Sequence, residues 1–548
     1  MTHPLSSSTP SRRSLLVGGA ASIAALALAP SAYAGSRPSA AGSRLASAPG
    51  TVRSLERATV RSWAADTWRS LVAMTDPRTG LPADNIAESL AAGDRSGYTS
   101  PTNIGGYLWS TIAARELGFI TRGEATGRMV RTLKTVYRMQ HHTPSGMYYN
   151  WYDESTGAVL TSWPGSGDRV YPFLSSVDNG WLGAALLVVM SSDPAAGQWA
   201  RRIFERMRWD MFYDADTSHP GVRPGGLMHG GFYDAPPPPG FSGYTGNHIG
   251  KGPDVWYTNH HYDTAVSETR ITTYLGIITG QVPPTAYYAT WRTFPASCDW
   301  SWPEMQPVGE HRTYFGIDVY EGAYTYRGKH IVPGWGGSMF EELMPDVFVD
   351  EATWAPNSWG RNHPLHIQAQ REHGLIEAGY GYWGFSPSSN PAGGYREYGV
   401  DPLGLGPGNE PGNGANGYFS DQEKTNYDAG FGDCRPATNP SPTYGDGVVT
   451  PHASFLAMMH EPDEAFTNLA RIQTELHAYG RGGFFDAVAT RSGTIARRYL
   501  SLDQAMAMGA VGNVLGHDVI RRAFSSDAVE RALRPVIGIE EFGASPVA

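Results

Sequence analysis

The chain has 548 residues, with 42 Lys and Arg against 52 Asp and Glu, giving a formal net charge of −10. That acidic balance argues against nucleic acid or anionic lipid as a partner, since both call for a basic surface. Hydrophobic residues make up 41% and charged residues 17%, so the chain is globular rather than disordered and long enough to bury a large core.

Residues 1–34 read as a twin-arginine-type signal peptide. Arg12-Arg13 precede an apolar run from Leu15 to about Ala29, and Ala32-Tyr33-Ala34 forms a small-x-small cleavage signal. The apolar run is too short for a membrane span. Cleavage after Ala34 removes two arginines and no acid or lysine, which takes the net charge from −10 to −12. The expected location is secreted or otherwise extracytoplasmic. Residues 35–50, rich in Ser, Ala, Gly and Pro, read as a flexible leader, and 51–548 as a single catalytic domain.

Helical signals then recur over 51–74, 101–118, 122–140, 177–191, 195–209, 264–280, 284–292, 337–346, 361–379, 448–460, 462–478 and 500–516. Ser100-Pro101 and Asp193-Pro194 pair a capping residue with proline at the first helical position. The 177–190 stretch is apolar nearly all round, so protein surrounds it, whereas 122–140 is amphipathic and lies outside. Alternating buried and half-exposed helices in a set of twelve predict an all-α dominated (α/α)6 toroid. Long loops and short β-hairpins stand at its cleft end.

The long loops cover 211–260 and 380–447. Their Asp, Asn and Gly content could hold a structural Ca²⁺, although the 12-residue calcium-loop pattern is absent. No CxxC or histidine spacing signals zinc, so no metal or other cofactor is expected. Cys298 and Cys434 form either one long-range disulfide or two buried thiols. Aromatics reach 12%, with 16 Trp and 29 Tyr beside 66 Gly, which suits a polar, aromatic-lined cleft where sugar rings stack. A surplus of core aromatics is the plainer reading of the same numbers.

Glu268 is the acid that stands out. On the predicted 264–280 helix it shares a stripe with Ala265, Ile271 and Leu275, where a carboxylate is paired, protonated or functional. A general acid and a structural ion pair with another helix are both open. Asp178 opens the buried helix, as a dipole partner or a cleft acid. Asp446, between a long loop and a helix, is either a general base or a turn aspartate beside Gly445 and Gly447. Asp263 reads as a helix N-cap. His260, His261, Tyr262, Trp181, Trp335 and Arg270 are candidate sugar contacts. Glu341 and Glu342 open a short helix, and one of them can reach the cleft.

Eight stretches occur in order: TSPTNIGGYL (99–108), VDNGWL (177–182), DTAVSETRITTYLGI (263–277), PGWGGSMFEELMP (333–345), GYGYWGFSPS (379–388), GVVTPHASFLAM (447–458), GGFFDAV (482–488) and RYLSLDQAMAM (498–508). Together they resemble the glycoamylase-like family, which includes bacterial endo-β-1,2-glucanases and a domain of cyclic β-1,2-glucan synthases. The resemblance spans about residues 60–525. It implies an (α/α)6 toroid and inverting glycoside hydrolysis by paired carboxylates. Glu268 matches the family's acid, Asp178 the aspartate of its VD helix, and Asp446 a later aspartate. Two departures stand out: Pro387 replaces an acid in the 383–388 segment, and Asp503 to Met506 reads DQAM where the family has DQGM.

The function expected is a secreted glycoside hydrolase acting on a poly- or oligosaccharide, first of all a β-1,2-linked glucan. A polysaccharide lyase using Tyr262 or His261 beside Asn259 is the first rival, and a non-catalytic glycan-binding protein the second. The expected partner is carbohydrate, with no nucleic acid and no membrane. Linkage, endo or exo action and oligomeric state stay open.

Overall fold

The structure is a computed structural model that describes residues 54–405 and 427–547. The signal peptide, the leader and the 406–426 part of the second long loop lie outside the described residues.

In chain order the helices begin with α1 Ser54–Met74, α2 Pro101–Glu116, α3 Arg122–Arg138, α4 Ser176–Ser192 and α5 Pro194–Phe204. Next come α6 Arg270–Ile278, α7 Thr285–Tyr288, α8 Met339–Leu343, α9 Glu351–Trp354 and α10 Trp359–Glu372. The last are α11 Pro451–Ala457, α12 Pro462–Thr474, α13 Ser501–Leu515, α14 Val519–Phe524 and α15 Asp527–Ile537. The start signals act as read. Ser100 Oγ accepts the Asn103 N–H at 3.2 Å ahead of Pro101, and Asp193 Oδ1 accepts from Ala195 and Ala196 ahead of Pro194. Each such cap is worth about 1 kcal/mol. The pattern missed α9, α14 and α15; Pro535 inside α15 reads in sequence as a stop.

Six helices follow one another around a ring. Contacts join α2 to α4, α4 to α6, α8 to α11, α11 to α13, and α13 back to α2. The remaining gap is bridged by Arg270 in α6, which donates to the carbonyls of Glu341 and Glu342 in α8. A second helix backs each ring member: α3 on α2, α5 on α4, α15 on α6, α10 on α8, α12 on α11 and α1 on α13. Close approach on the ring needs residues without side chains. A Cβ on Gly105 would stand 2.8 Å from the Trp181 carbonyl oxygen, and one on Gly106 2.8 Å from Ala505 Cβ, so this pair lets α2 nest between α4 and α13. α2, α4 and α13 are buried over nearly their whole length, as an all-round apolar helix requires.

Short antiparallel strands fill the connections. Between α5 and α6 the chain makes two small sheets. One pairs Gly231–Tyr233, Val255–Thr258 and Gly243–Gly246 with Phe173–Ser175, the strand just ahead of α4. The other orders His261–Tyr262, Leu227–His229 and Tyr213–Asp214. A further sheet carries Val308–Tyr314, Ile317–Tyr326 and Lys329–Ile331. Cys298 and Cys434, 136 positions apart, form a disulfide, which settles the two alternatives left open by sequence. Among the described residues no helix is long and apolar enough to cross a membrane.

Candidate functional site

The starts of all six ring helices gather at one end. Thr102 in the first turn of α2 donates to Asp178 Oδ1 in the first turn of α4 at 2.5 Å. Thr272 near the start of α6 donates to the Ser176 carbonyl that opens α4. The 384–385 carbonyls accept from Met339, first residue of α8, and from Thr450, just ahead of α11. His452 Nδ1 lies 3.5 Å from Asp503 Oδ2, joining α11 to α13. Asp84 closes the circle: its carbonyl accepts from Ser501 of α13, and its carboxylate from Asn103 Nδ2 of α2. The positive ends of six helix dipoles therefore face the same way, which stabilises acids there. Asp178 and Asp503 occupy first turns, and both are buried.

Glu268 belongs to this end but not to a helix. α6 begins at Arg270, two residues later, so the predicted stripe through Ala265 and Glu268 does not exist. The reason is competition for backbone groups. Ser267 Oγ pairs with Thr269 Oγ1 and accepts the Thr269 N–H, while Thr264 and Val266 form parallel bridges to Trp291 and Gly334. Glu268 thus sits in a turn feeding α6 and is 7% exposed. Asp263 is not an N-cap either. It lies in extended chain, and burial pushes its carboxyl up to about 6.

Three further expectations are corrected. Arg270 is no sugar contact: all five of its N–H groups are used, by both Glu351 oxygens and by the carbonyls of Ser267, Glu341 and Glu342. Trp181 is fully buried against Trp109 and Phe348 and offers no face to a ligand. Glu341 is 3% exposed and closes a capping box with Ser338, its Oε2 also accepting from the Gly336 N–H. Its neighbour Glu342 points into the protein and accepts from Asn362 and His363.

Asp446 is half-buried in the segment that feeds α11, and its Oδ1 accepts the Ser492 N–H at 2.6 Å. Asp178 is more enclosed. Thr102 holds one oxygen, and the Asn150 amide, in its satisfied orientation, donates to the other at 2.8 Å. Trp335 is half-buried beside Phe294, Met305, Tyr324 and Leu405. Tyr262 is half-buried, with the His260 ring edge-on at 5.0 Å. Burial and the nearby His261 push His260 down to about 3. His261 is held by Asp214 Oδ2 at 3.0 Å.

Sequence reasoning assigned no role to Asp486, Asp503 or His452. They line a small pocket with Gln504 at the α11 and α13 starts. All three lie in motifs that carry the family resemblance, which is the signal that points to them. It likewise passed over two groups whose ligand atoms lie close enough for one ion: Asp214, His229 and His248, and Asp346, Glu351 and His363.

Comparison with known proteins agrees over most of the chain. Residues 260–528 match a family described as putative glucoamylase, and residues 62–217 match a family of unknown function. A cyclic β-(1,2)-glucan synthase of Rhizobium meliloti is 28% identical over 285 residues, which is 50% of this chain and 8% of that protein. In fold the chain is similar to a putative glucoamylase from Bacteroides caccae, with a TM-score of 0.57, 16% identity and coverage of 88% of this chain and 99% of that one. It is also similar to an endo-β-1,2-glucanase from Chitinophaga pinensis, with a TM-score of 0.56, 14% identity and coverage of 88% and 98%. The likeness to the glycoamylase-like family read from the motifs therefore holds, and residues 260–528 carry that family's sequence pattern.

Proposed function

We propose that the chain is a glycoside hydrolase that cleaves a β-1,2-linked glucan by inversion, at the mouth of an (α/α)6 toroid. The relatives named as β-1,2-glucan enzymes support the substrate class. The observation that carries the reading is the position of Glu268: a buried acid in the segment feeding α6, at the end where six helix starts gather. Glu268 protonates the departing glycosidic oxygen. Asp446 activates the water, because it is half-buried in the segment feeding α11 while Asp178 is enclosed by Thr102 and Asn150. Asp178 instead holds the α2 and α4 starts in register. The Arg12-Arg13 pattern supports export from the cytoplasm.

The lyase reading loses one of its two candidate bases, because His261 is held by Asp214, and keeps Tyr262. The test is a glucan panel including β-1,2-glucan, with products separated by chromatography and their first anomer followed by NMR. Wild type is expected to release α-anomeric ends. Glu268→Gln and Asp446→Asn are each expected to slow turnover by at least about 100-fold, the low end for losing a general acid or base. Full activity of Glu268→Gln would remove the mechanism, unsaturated products would favour the lyase, and binding without turnover by wild type would leave a glycan-binding protein.

A further inference from the structure

Four side chains from separate parts of the 211–262 excursion converge on one point. Asp214 ends the Tyr213–Asp214 strand, His229 ends Leu227–His229, and His261 begins the strand beside it. His248 comes from the turn after Gly243–Gly246. His229 Nε2 stands 3.3 Å from Asp214 Oδ2 and 3.2 Å from His248 Nε2.

The protons decide what this arrangement can hold. His229 Nδ1 lies 2.9 Å from the Thr258 carbonyl oxygen. A carbonyl only accepts, so Nδ1 carries the hydrogen and Nε2 of the neutral ring presents a lone pair. Asp214 is acceptor-only when ionised, and its Oδ2 faces His219 Nδ1, His261 Nε2 and the Tyr244 hydroxyl. In that tautomer His229 Nε2 and Asp214 Oδ2 are both lone-pair atoms 3.3 Å apart. Tyr244 Oη stands 3.0 Å from Asp214 Oδ2, 2.8 Å from His229 Nε2 and 3.2 Å from His248 Nε2. A cation between these atoms would take several of their lone pairs at once.

The spacing and chemistry identify the cation. Four ligands about 2.05 Å from a tetrahedral ion stand roughly 3.3 Å from one another, which is the separation of His229 Nε2 from both Asp214 Oδ2 and His248 Nε2. Two imidazole nitrogens and one carboxylate oxygen form a borderline set that suits Zn²⁺, not the all-oxygen shell of Ca²⁺. The outer partners are those a zinc site uses: a backbone carbonyl fixes the His229 tautomer, and His219 and His261 orient the carboxylate. Access is from one side, where His248 is half-buried and the His219 side chain is 27% exposed, while Asp214 and His229 are sealed.

We propose that Asp214, His229 and His248 bind one Zn²⁺ with the Tyr244 hydroxyl at the fourth corner, and that the ion fastens the 211–262 excursion to the strand leading to Glu268. The contrast with Asp346, Glu351 and His363 supports the choice. That group already faces Arg270 and Arg521, so its acids need no added cation. Both cysteines are joined to each other, so a thiolate cannot supply a competing zinc site.

The test uses the full chain without a histidine tag, stripped with a chelator and then equilibrated with ZnCl₂ alone. Elemental analysis is expected to find about one zinc per chain, as for a single tetrahedral site. CoCl₂ is expected to give the visible absorption of a tetrahedral site, and zinc to raise Tm. His248→Ala is the variant of choice because His248 is half-buried and on a turn; it is expected to lose at least about 90% of the bound metal and the Tm response, beyond the 10–100-fold affinity loss typical of an outer partner. His248→Gln serves if the alanine variant does not fold. A stripped wild type that takes up no zinc and shows no cobalt absorption would overturn the proposal. So would a folded His248 variant that binds as much metal as wild type. Both readouts are independent of hydrolysis, so failure here and failure of the glucanase reading are separable.

Discussion

Two polar clusters inside this molecule use the same residue types and reach opposite states. Between α6, α8, α9 and α10, the acids Glu342, Asp346 and Glu351 meet the cations Arg270, Arg521 and His363. His363 touches all three acids, at 2.6 Å from Glu342, 3.4 Å from Glu351 and 3.8 Å from Asp346, and they push it up to about 9. Three negative charges thus find three positive ones, and the cluster is sealed from solvent except at Arg521. In the 211–262 excursion Asp214 meets three imidazoles, His219, His229 and His261, and His248 joins them through His229, which burial pushes down to about 4. Permanent guanidinium charges close the first cluster. The second has only imidazoles to supply charge, and they can trade a proton for a metal. A balanced network serves as scaffold, and an adjustable one is where a ligand can act.

The largest expected effect tests the balance. Arg270→Met leaves Glu351 buried beside His363 and Tyr274 without its bidentate partner. Removing one member of a buried pair costs about 3–5 kcal/mol, so urea unfolding of the variant is expected to show a loss of that size. The double variant Arg270→Met, Glu351→Gln removes both charges and is expected to recover part of it. A loss near zero in the single variant would mean that the network carries no stabilising charge.

The next effect is a pH dependence confined to the same cluster. The folded value of His363, about 9, lies above its ordinary 6.5. Its contribution is therefore fully present below about pH 6.5 and is lost as pH rises through about 9. The amount is on the order of 3 kcal/mol at 1.36 kcal/mol per pH unit of displacement. Urea midpoints of wild type between pH 6 and 10 are expected to fall, and His363→Gln is expected to flatten the fall. A wild-type profile equally flat would place the proton elsewhere.

The same contrast explains what could be read from sequence. Helices α2 to α5 were legible because their signals are local: a capping side chain, a proline one residue on, and an apolar or amphipathic run. The expected toroid came from the alternation of buried and half-exposed helices and the interest in Glu268 from its supposed stripe, and the motif order pointed the same way. The turn that carries Glu268 was not legible, because Thr264 and Val266 are held by bridges to residues 291 and 334, far along the chain. Arg270 was misread for the same reason, its partners lying 71 to 81 residues away apart from Ser267. The Asp214 cluster has no spacing signature at all. Strand pairing in the excursion assembles it from positions 214, 229, 248 and 261, and a motif search for zinc ligands passes over it.

The smallest effect isolates burial from distance. Glu530 Oε1 accepts from Arg534 Nη1 at 2.6 Å on α15, the same separation as Glu342 and His363 in the sealed network. Here, however, the side chains are 41% and 56% exposed and stand one helical turn apart. Water already solvates both charges, so little is gained when they meet, and two long side chains lose freedom to do so. Glu530→Ala is therefore expected to change stability by no more than about 0.5 kcal/mol, and the small change should shrink further in high salt. Set beside Arg270→Met under identical conditions, it compares an exposed arginine–carboxylate pair with a sealed one. A loss from Glu530→Ala as large as that from Arg270→Met would show that proximity alone governs these pairs, and the distinction drawn between sealed and open clusters would lose its physical basis.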